Sequence, residues 1–451
     1  MSAGARALLA RSVARALRSG GRGATSLPGK LLLRLEPGAI GRLARELPQG
    51  SVVVSATNGK TTTTALAAAI FEAAGTATVH NVAGANMAGG VASALLAPRR
   101  GAQLGLFEVD EFWLDRVAGE LRPRAILLGN LFRDQLDRYG ELETIGARWQ
   151  ELLQASSARL IANADDPLIA DLGRDRPDTL YFGIDDPAAA TGSPPAHASD
   201  STRCANCGSA YAYEYVYLAH LGDYACPGCG RSRPQLHVAA RDVRLDGLRG
   251  AAFELRTPFG EASVRTTLPG LYNVYNALGA SALATALGIA PELIASALAG
   301  ASAVFGRGER VSIDGRELSI LLVKNPAGAN EVLRLLSAQE GAHDVLGILN
   351  DRIADGRDVS WIWDADFETL APRVRHVTCS GTRAAELALR LKYAGVADER
   401  ITVTPVLADA LDGALGRAEG ELYALPTYTA MLALRELLAA RGQVASSWAR
   451  A

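Results

Sequence analysis

The sequence predicts an α/β protein that has two α/β domains and a small cysteine-rich insertion in the first of them. Three observations lead to this fold class. Apolar β-type runs alternate with Ala-rich helical runs over residues 50–190, which is typical of a parallel sheet with helical crossovers. Two CxxC pairs follow within residues 203–231. The α/β alternation then starts again at residue 311.

The composition is that of a soluble globular protein. The chain has 451 residues, 49% hydrophobic and 21% charged, enough to bury a sizeable core in two or three domains. A formal net charge of −2 provides no basic field for nucleic acid. No long apolar run occurs, so we expect no transmembrane helix. Four of the five cysteines fall in two CxxC pairs, which argues for metal rather than disulfides and so for a reducing cytoplasm.

The N-terminal segment, residues 1–49, is rich in arginine, and its first acidic residue is Glu36. Arginines recur at helical spacing among Ala and Leu, at Arg6, Arg11, Arg15 and Arg18. This pattern fits a transit peptide, a helix lying on the inner face of an anionic membrane, or a solvated helix packed on the domain. Arginine interrupts the apolar stretch, which disfavours a secretory signal.

The first domain, residues 50–310, is predicted to contain a parallel sheet. Its expected strands are SVVVSA, LGLFEVD, AILLGN and RLIANADD. A linker rich in Ala, Pro, Gly and Ser covers residues 186–202, β-hairpins are expected over 237–267, and a helix begins near Asn276. The second domain, residues 311–451, has expected strands ELSILLV, HDVLGILN, VRHVTCSG and RITVTP.

A phosphate-binding loop is predicted between the first strand and its helix, over residues 55–62. Backbone N–H groups and the helix N-terminus would cradle phosphates, Lys60 would reach the β- and γ-phosphates, and the Thr61 hydroxyl would coordinate Mg²⁺. The generic motif has a glycine where this chain has Val54. The GKT triplet alone would be a weak signal, with an ordinary helix N-cap made by threonine as the alternative.

The whole loop resembles that of the Mur-ligase and folylpolyglutamate-synthase family, whose core is TNGKTT. Further marks follow in the family's order: Glu108 after a strand, Asn130–Gly140 (N-x-x-x-D-H-L-D-x-x-G), Asn163–Pro167 (NxDDP), Leu268–Ala277 (L-P-G-x-H-N-x-x-N-A) and Gly306–Arg310 (GRxE). This resemblance implies a Mur-ligase-like P-loop central domain and a C-terminal α/β, Rossmann-like domain.

The resemblance also implies an ATP site. Its expected residues are Thr57, Asn58, Gly59, Lys60, Thr61, Thr62, Asn273, Asn276 and Arg307. Magnesium is expected on Thr61 and Glu108. The chemistry is transfer of the γ-phosphoryl group to a carboxylate, because an acyl phosphate has the leaving group that a carboxylate lacks. An amine then attacks the acyl phosphate.

Three departures from the family pattern affect the expected chemistry. Gln135 replaces the histidine that helps to hold a second metal, and no counterpart of the carbamylated lysine is found. The P-loop begins near residue 55, which leaves no room for a sugar-nucleotide-binding N-terminal domain. The acceptor substrate must therefore be held differently.

The cysteine-rich insertion predicts a structural zinc ribbon. The pattern is C-x2-C-x18-C-x2-C, formed by Cys204, Cys207, Cys226 and Cys229. A redox CxxC is disfavoured because neither pair opens a helix after a strand. His220 is expected on the surface. The tyrosine-rich stretch between the pairs is expected to be a hairpin packed on the metal site, with a recognition surface as the alternative.

Segments of the second domain resemble a narrower family, the synthetase subunits of lipid II isoglutaminyl synthases. The resembling segments are Lys324–Asn330, Asn350–Asp364 and Ala424–Thr429. The resemblance implies that ATP activates the α-carboxyl of D-glutamate in the lipid II stem peptide. It also implies a heterodimer with a GatD-like glutaminase, which supplies the ammonia that gives D-isoglutamine.

The chain itself is not expected to hydrolyse glutamine, which requires a cysteine beside a histidine. Cys379 is the one cysteine outside the ribbon, and its odd spacing from His376 points the two side chains to opposite faces of a strand. The resemblance implies that an aspartate completes the partner's Cys–His pair; Asp358 is the first choice and Asp355 the reserve. Both could instead cap turns.

Two tryptophans follow these aspartates. Alternation would place Trp361 and Trp363 on one face, either as interface anchors or as core. Two competing functions also remain. The first is a stand-alone ligase that adds an amino acid, and the second is a non-catalytic ATP-binding regulator, which Gln135 favours and an intact Lys60, Thr61 and Glu108 oppose.

Overall fold

The computed structural model describes residues 25–81, 84–96, 100–134, 142–192, 200–301 and 307–444, with only the backbone of Arg307. The predicted N-terminal arginines and Gln135 lie outside these ranges. The strands are β1 (Ser51–Ser55), β2 (Thr78–His80), β3 (Leu104–Glu108), β4 (Ala125–Leu128), β5 (Arg159–Asn163), β6 (Leu180–Ile184), β7 (Ala212–Leu218), β8 (Leu221–Ala225), β9 (Val238–Leu245), β10 (Ala251–Thr257), β11 (Gly260–Thr266), β12 (Arg307–Ile313), β13 (Arg316–Leu321), β14 (His343–Ile348), β15 (Val374–Ser380), β16 (Ile401–Val403) and β17 (Leu422–Pro426).

Helices cover both faces of the sheets that these strands form. They are α1 (Leu27–Leu35), α2 (Ala39–Ala44), α3 (Lys60–Ala73), α4 (Ala88–Leu96), α5 (Leu114–Leu121), α6 (Leu142–Gln154), α7 (Pro167–Leu172), α8 (Leu271–Ala286), α9 (Pro291–Ala299), α10 (Pro326–Ser337), α11 (Ala384–Tyr393), α12 (Leu407–Arg417) and α13 (Tyr428–Ala440). Within the described ranges, no helix is long and apolar enough to cross a membrane.

The first sheet has nine strands in the order β11-β10-β9-β6-β5-β4-β1-β3-β2. Strands β1 to β6 and β9 form the parallel part, in which β1 lies between β4 and β3, and β9, β10 and β11 form an antiparallel edge. Alternate residues of β1 enter two separate cores: Val53 packs into one and Val52 and Val54 into the other. A parallel strand buried on both faces needs such a continuous apolar run.

The two N-terminal helices belong to the core of this first unit. Leu32 and Ile40 are fully buried there. A Cβ atom added to Gly29 would lie 1.9 Å from the carbonyl oxygen of Gly89, so α1 and α4 touch through their backbones. Residues 27–44 therefore pack on the domain.

The second sheet has six strands in the order β12-β13-β17-β14-β15-β16. Only the β12–β13 pair is antiparallel. Its two faces are covered by two further apolar cores. The strands predicted from ELSILLV, HDVLGILN, VRHVTCSG and RITVTP appear as β13, β14, β15 and β16, as the α/β fold class requires.

One local prediction in the second domain is wrong. Ser360–Trp363 is a 3-10 helix rather than a strand, so alternation does not apply to its two tryptophans. Trp361 is half-buried against the core, whereas Trp363 is 49% exposed. The ring of Trp363 contacts the ring of Tyr393 edge-on at 5.7 Å between centroids, with the Arg390 guanidinium 5.5 Å from its centroid.

Candidate active site and metal centre

The predicted phosphate-binding loop, called the phosphate loop below, joins β1 to α3, the strand–loop–helix context that the sequence predicts. Gly59 precedes the helix with φ of +87°, a conformation that glycine adopts without a steric cost. A Cβ atom there would also lie 1.9 Å from Oδ1 of Asn276. Glycine is therefore required at position 59 for two reasons: the positive φ of the turn and the close approach of α8 to the loop.

The Lys60 side chain is buried at this loop and points back into it. Its Nζ donates to the carbonyl oxygens of Ala56 and Thr57 and, at 2.7 Å, to Oε2 of Glu111. Burial alone would raise the pKa of Glu111, but the charges of Lys60 and Lys324 outweigh it and leave that pKa lowered. Burial likewise opposes the Lys60 charge, and the facing acids still leave the Lys60 pKa raised.

Sequence reasoning missed Glu111. Its position in the sequence could have indicated a role, because Glu111 follows Glu108 by three residues and so lies just beyond the end of β3. Since β1 and β3 are parallel and adjacent, acids that follow β3 meet the loop that follows β1.

Glu108 ends β3 opposite Val54 of β1 and is buried. Its Oε1 accepts a hydrogen bond from the backbone N–H of Gly84 at 3.2 Å. The Asn81 amide donates to the Glu108 carbonyl and accepts from its N–H, which fixes the backbone there. A carboxylate here and the Thr61 hydroxyl in the first turn of α3 are oxygen donors of the kind that Mg²⁺ prefers.

The loop after β4 supports the phosphate loop. Thr57 Oγ1 accepts from the N–H of Phe132 at 3.0 Å and donates to the Phe132 carbonyl. The Asn130 side chain accepts from the Asn58 N–H at 2.9 Å and donates to the Asn58 carbonyl at 3.0 Å. The hydroxyl of Thr57 therefore holds the loop in shape.

The NxDDP turn has a supporting role in the structure. Asp166 caps α7 by accepting from two backbone N–H groups, and its Oδ2 also accepts from the N–H of Leu131 at 2.9 Å. Asp165 pairs with Arg233 at 3.1 Å and accepts from the Tyr275 hydroxyl at 2.7 Å. Burial raises the pKa of Asp165 to about 6 despite these partners.

The predicted adenine-side asparagines lie on α8 against the phosphate loop. Asn276 accepts from the Thr63 hydroxyl at 3.3 Å and donates to Asn273 at 2.9 Å, and Asn273 donates to the Pro269 carbonyl. Thr62, in the first turn of α3, is buried. The side chain of Arg307 lies outside the described residues, so its predicted role stays untested.

A cleft with about 820 Å³ of empty volume opens between the phosphate loop and the second sheet. Residues of both domains and of the cysteine-rich insertion line it. Among them are Asn58, Gly59, Thr62, Asn276, Tyr272, Leu218, Leu221, Leu321, Lys324 and Glu331. This mixture of apolar walls with a few polar groups is typical of a small-molecule site.

The second domain touches the phosphate loop directly. Lys324 Nζ donates to Asp134 Oδ2 at 2.6 Å and to the Thr57 carbonyl at 3.1 Å. The amides of Asn58 and Asn325 donate to each other at 3.2 and 3.1 Å. The KNPAG segment, which served only as a family mark in the sequence, thus brings a second cation to the site.

A polar cavity with about 510 Å³ of empty volume continues from this contact to the acidic loop of the second domain. Lys324 and Asp134 line it at one side, and Asp355 and Asp358 also contribute to its wall. The structure thus brings the predicted aspartates and the phosphate-loop contact into one cavity.

The two candidate aspartates differ in exposure. Asp355 is buried, and its carboxylate accepts from the Thr429 N–H at 2.7 Å and from the Thr429 hydroxyl at 2.5 Å. Burial raises the pKa of Asp355. Asp358 is exposed and accepts from the Ser360 N–H at 2.8 Å, which lowers its pKa. Both make the capping bonds foreseen as the alternative, but only Asp358 is accessible.

Cys379 lies in β15 and is fully buried. Burial raises the pKa of its thiol to about 12, which disfavours the nucleophilic thiolate. His376 bonds Thr402 Oγ1 at 2.9 Å. The two residues form no Cys–His pair, in line with the sequence argument.

The four cysteines of the insertion come together in one cluster that could hold a metal ion, where the sequence predicts a zinc ribbon. Their Sγ atoms lie within 4.8 Å of one another, with 3.6 Å between Cys204 and Cys229 and 3.4 Å between Cys207 and Cys226. Tetrahedral zinc with bonds of about 2.3 Å would separate its sulfur ligands by about 3.8 Å. The cluster therefore fits a metal ion with four thiolate ligands.

The hairpin of β7 and β8 connects the metal centre to the cleft. Tyr211 and Tyr224 pack edge-on at 4.8 Å beside the cysteines, which agrees with the predicted hairpin. At the other end of the hairpin, Leu218 and Leu221 line the cleft.

The prediction that His220 lies on the surface is wrong. This residue is completely buried at the hairpin turn. Its ring packs against Phe132 at 4.9 Å, and its Nε2 lies 3.4 Å from Asp166 Oδ2. The sequence could not show this, because both partners belong to loops that are distant in the chain.

We expect Cys204→Ser to lose the bound metal and to weaken nucleotide binding. A three-thiolate site binds zinc poorly, and the hairpin that carries Leu218 and Leu221 would lose its anchor. Zinc content, melting temperature and ATP affinity would be measured. Cys379→Ser is the matched control. Cys379 is buried away from the cluster, so this variant should retain zinc. An unchanged zinc content in Cys204→Ser would refute the metal centre.

Solved structures with a similar architecture include ligases. A pseudomurein peptide ligase type C from Methanothermus fervidus superposes with a TM-score of 0.69 at 23% identity, covering 89% of this chain and 80% of that one. MurF from Acinetobacter baumannii gives 0.65 at 19% identity, covering 90% and 80%. These likenesses confirm the predicted Mur-ligase-like fold.

Sequence comparison is more specific. The family models described as Mur ligase middle domain and MurT ligase C-terminal match residues 54–217 and 322–431. The lipid II isoglutaminyl synthase (glutamine-hydrolyzing) subunit MurT of Streptococcus pneumoniae is 35% identical over 93% of both chains. The subunit of the same name from Staphylococcus aureus is 33% identical over 95% of this chain and 96% of its own. The chain therefore belongs to the MurT family.

Proposed function

We propose that the chain is the ATP-dependent synthetase subunit of a lipid II isoglutaminyl synthase. It would activate the α-carboxyl of D-glutamate in the stem peptide as an acyl phosphate and amidate it to D-isoglutamine. The observation that carries the proposal is the meeting of two cations, Lys60 and Lys324, at one phosphate loop. The MurT relatives, which match nearly the whole chain, carry this activity in their name.

Different residues of the first domain, 50–310, would bind different parts of the nucleotide. We assign phosphate binding to Lys60 and to the loop of Thr57, Asn58 and Gly59. When the nucleotide binds, Lys60 would release Glu111 and contact the phosphates instead. Residues of α8 and the Arg307 segment would hold the base. Thr61 and Glu108 would hold Mg²⁺, which would neutralise phosphate charge when bound. The four-cysteine cluster would hold a structural Zn²⁺.

Lys324 has the position of a second phosphate ligand. Its ion pair with Asp134 and its bond to the Thr57 carbonyl hold a positive charge at the loop where the γ-phosphate would lie. Transfer of the phosphoryl group spreads charge over the phosphate oxygens, so fixed cations at this point stabilise the transition state.

Ammonia would come from a separate glutaminase subunit of the GatD kind. Cys379 is buried and the other four cysteines form the metal cluster, so this chain offers no thiol for glutamine hydrolysis. We assign the contact to the second domain, 311–451, where Asp358 is exposed and Trp363 and Tyr393 form an accessible aromatic pair. Asp358 would orient the histidine of the partner's Cys–His pair.

Lipid II is a membrane lipid, so we place the reaction in the cytoplasm at the inner membrane face. The Arg-rich segment would supply peripheral contact with anionic lipid.

The test is ATP-dependent amidation of lipid II by the purified chain with ammonium chloride and no partner. We expect a product in which one hydroxyl is replaced by an amino group, detected by mass spectrometry. Turnover that requires an amino acid in place of ammonia would indicate a stand-alone ligase. ATP binding without product, even with the glutaminase present, would indicate a regulator.

A further inference from the structure

Helix α10 brings a single carboxylate into the nucleotide cleft. Glu331 is 7% exposed and lines the same cleft as Asn58, Gly59 and Asn276. Among the described residues of that lining, it is the only acid. The surrounding wall is largely apolar, through side chains such as Leu321 and Val332.

Burial of this carboxylate is only partly compensated. Its Oε1 accepts from Nη1 of Arg334 at 2.7 Å, and the Arg334 side chain is 40% exposed. Burial raises the pKa of Glu331 to about 7, and the Arg334 charge only limits the rise. A carboxylate retained in a cleft wall at such a cost in desolvation is typical of a ligand-binding group.

The position of Glu331 along its helix indicates which part of a nucleotide it would meet. Asn325 caps α10 and bonds Asn58 of the phosphate loop, so the start of the helix marks the phosphate end of the cleft. Glu331 lies five residues beyond Pro326, about 7.5 Å along the helix axis at 1.5 Å per residue. In a nucleotide, the ribose lies at about this distance from the β-phosphate. The phosphates themselves would not lie beside Glu331, because both groups are negatively charged and repel each other.

We propose that Glu331 accepts hydrogen bonds from the ribose hydroxyls of the bound nucleotide and thereby selects ribonucleotides over deoxyribonucleotides. The inference rests on the proposed nucleotide site and adds a specificity-determining residue from the second domain to it. A carboxylate has two oxygens that accept from adjacent hydroxyl donors, and it loses a partner when either hydroxyl is missing. Discrimination is strongest where a buried polar group is left unpaired by the wrong ligand.

The experiment measures the dissociation constants of ATP, 2′-deoxy-ATP and 3′-deoxy-ATP by calorimetry, without the amidation reaction. The wild-type chain should bind at least one of the deoxy nucleotides about tenfold more weakly than ATP, as expected for a hydrogen bond to a charged group. Glu331→Ala should bind ATP about tenfold more weakly and all three nucleotides equally. Glu331→Gln, which keeps one acceptor oxygen and the shape, should give an intermediate ratio.

Arg334→Lys is the matched control, because it keeps a positive charge beside the carboxylate and lies outside the cleft lining; it should keep the wild-type preference for ATP. A purely structural Glu331 would weaken all nucleotides in parallel and leave the preference unchanged, which would overturn the inference. Equal binding of the three nucleotides by the wild-type chain would also overturn it, with the nucleotide site intact. A wild-type chain that binds no nucleotide would overturn both.

Discussion

Lys60→Ala is expected to abolish ATP-dependent amidation, with a loss in kcat of at least about 10²–10³-fold, the range for removal of one transition-state stabilising group. The lysine is the buried cation of the phosphate loop, and its Nζ is held by two loop carbonyls and Glu111. Without it, charge on the transferring phosphoryl group lacks its nearest compensation. Single-turnover amidation with ammonium chloride would measure the loss.

Lys60→Ala also has a structural consequence that needs a control. It leaves the buried Glu111 carboxylate without its main partner, which costs about 3 kcal/mol in the free energy of unfolding for a buried pair. The double variant Lys60→Met/Glu111→Gln removes both charges and should recover the melting temperature but not the activity. Normal turnover in either Lys60 variant would remove the lysine from the proposed mechanism.

Asp358→Asn is expected to lower glutamine-dependent amidation by up to about 10⁴-fold, as loss of the third triad member does elsewhere, while activity with free ammonia stays near wild type. The carboxylate is exposed beside the polar cavity and has its pKa lowered by the Ser360 N–H. It is therefore charged at neutral pH and available to the partner's imidazole. The assay compares the two nitrogen sources with the glutaminase present.

Asp355→Asn is the matched control for this prediction. Asp355 is buried and caps α13 through Thr429, so its loss should lower the melting temperature and reduce both activities alike. Equal loss with both nitrogen sources in Asp358→Asn would place Asp358 in folding or in the synthetase centre. A selective loss in Asp355→Asn would exchange the roles of the two residues.

The sequence predicted the parts of the site that are contiguous in the chain. A strand, a GKT turn and a helix within residues 51–73 define the phosphate loop without knowledge of anything else. The two cysteines of each CxxC pair are likewise brought together by one local turn, so the four-cysteine cluster could be predicted from the sequence. The sheet followed from apolar runs, because strands buried on both faces tolerate few other residues.

The sequence did not reveal the contacts between distant segments. Lys60 pairs with Glu111 across neighbouring strands, and Lys324 reaches Asp134 over 190 residues of chain. His220 is buried by a loop that its own hairpin does not contain. Trp363 is exposed because the local backbone is a 3-10 helix. Each of these features depends on tertiary placement, which periodicity and spacing do not encode.

The polar cavity that joins Lys324 to Asp358 has a thermodynamic consequence for the assembled enzyme. Residues of one wall would serve both the nucleotide and the proposed partner, so binding at either end would alter the affinity at the other. Linkage then requires reciprocity: a partner that tightens ATP binding by some factor is itself held more tightly by the ATP-loaded chain, by the same factor. In such an enzyme, the glutaminase would bind preferentially to chains that already hold ATP. Little ammonia would then be released in the absence of an activated acceptor.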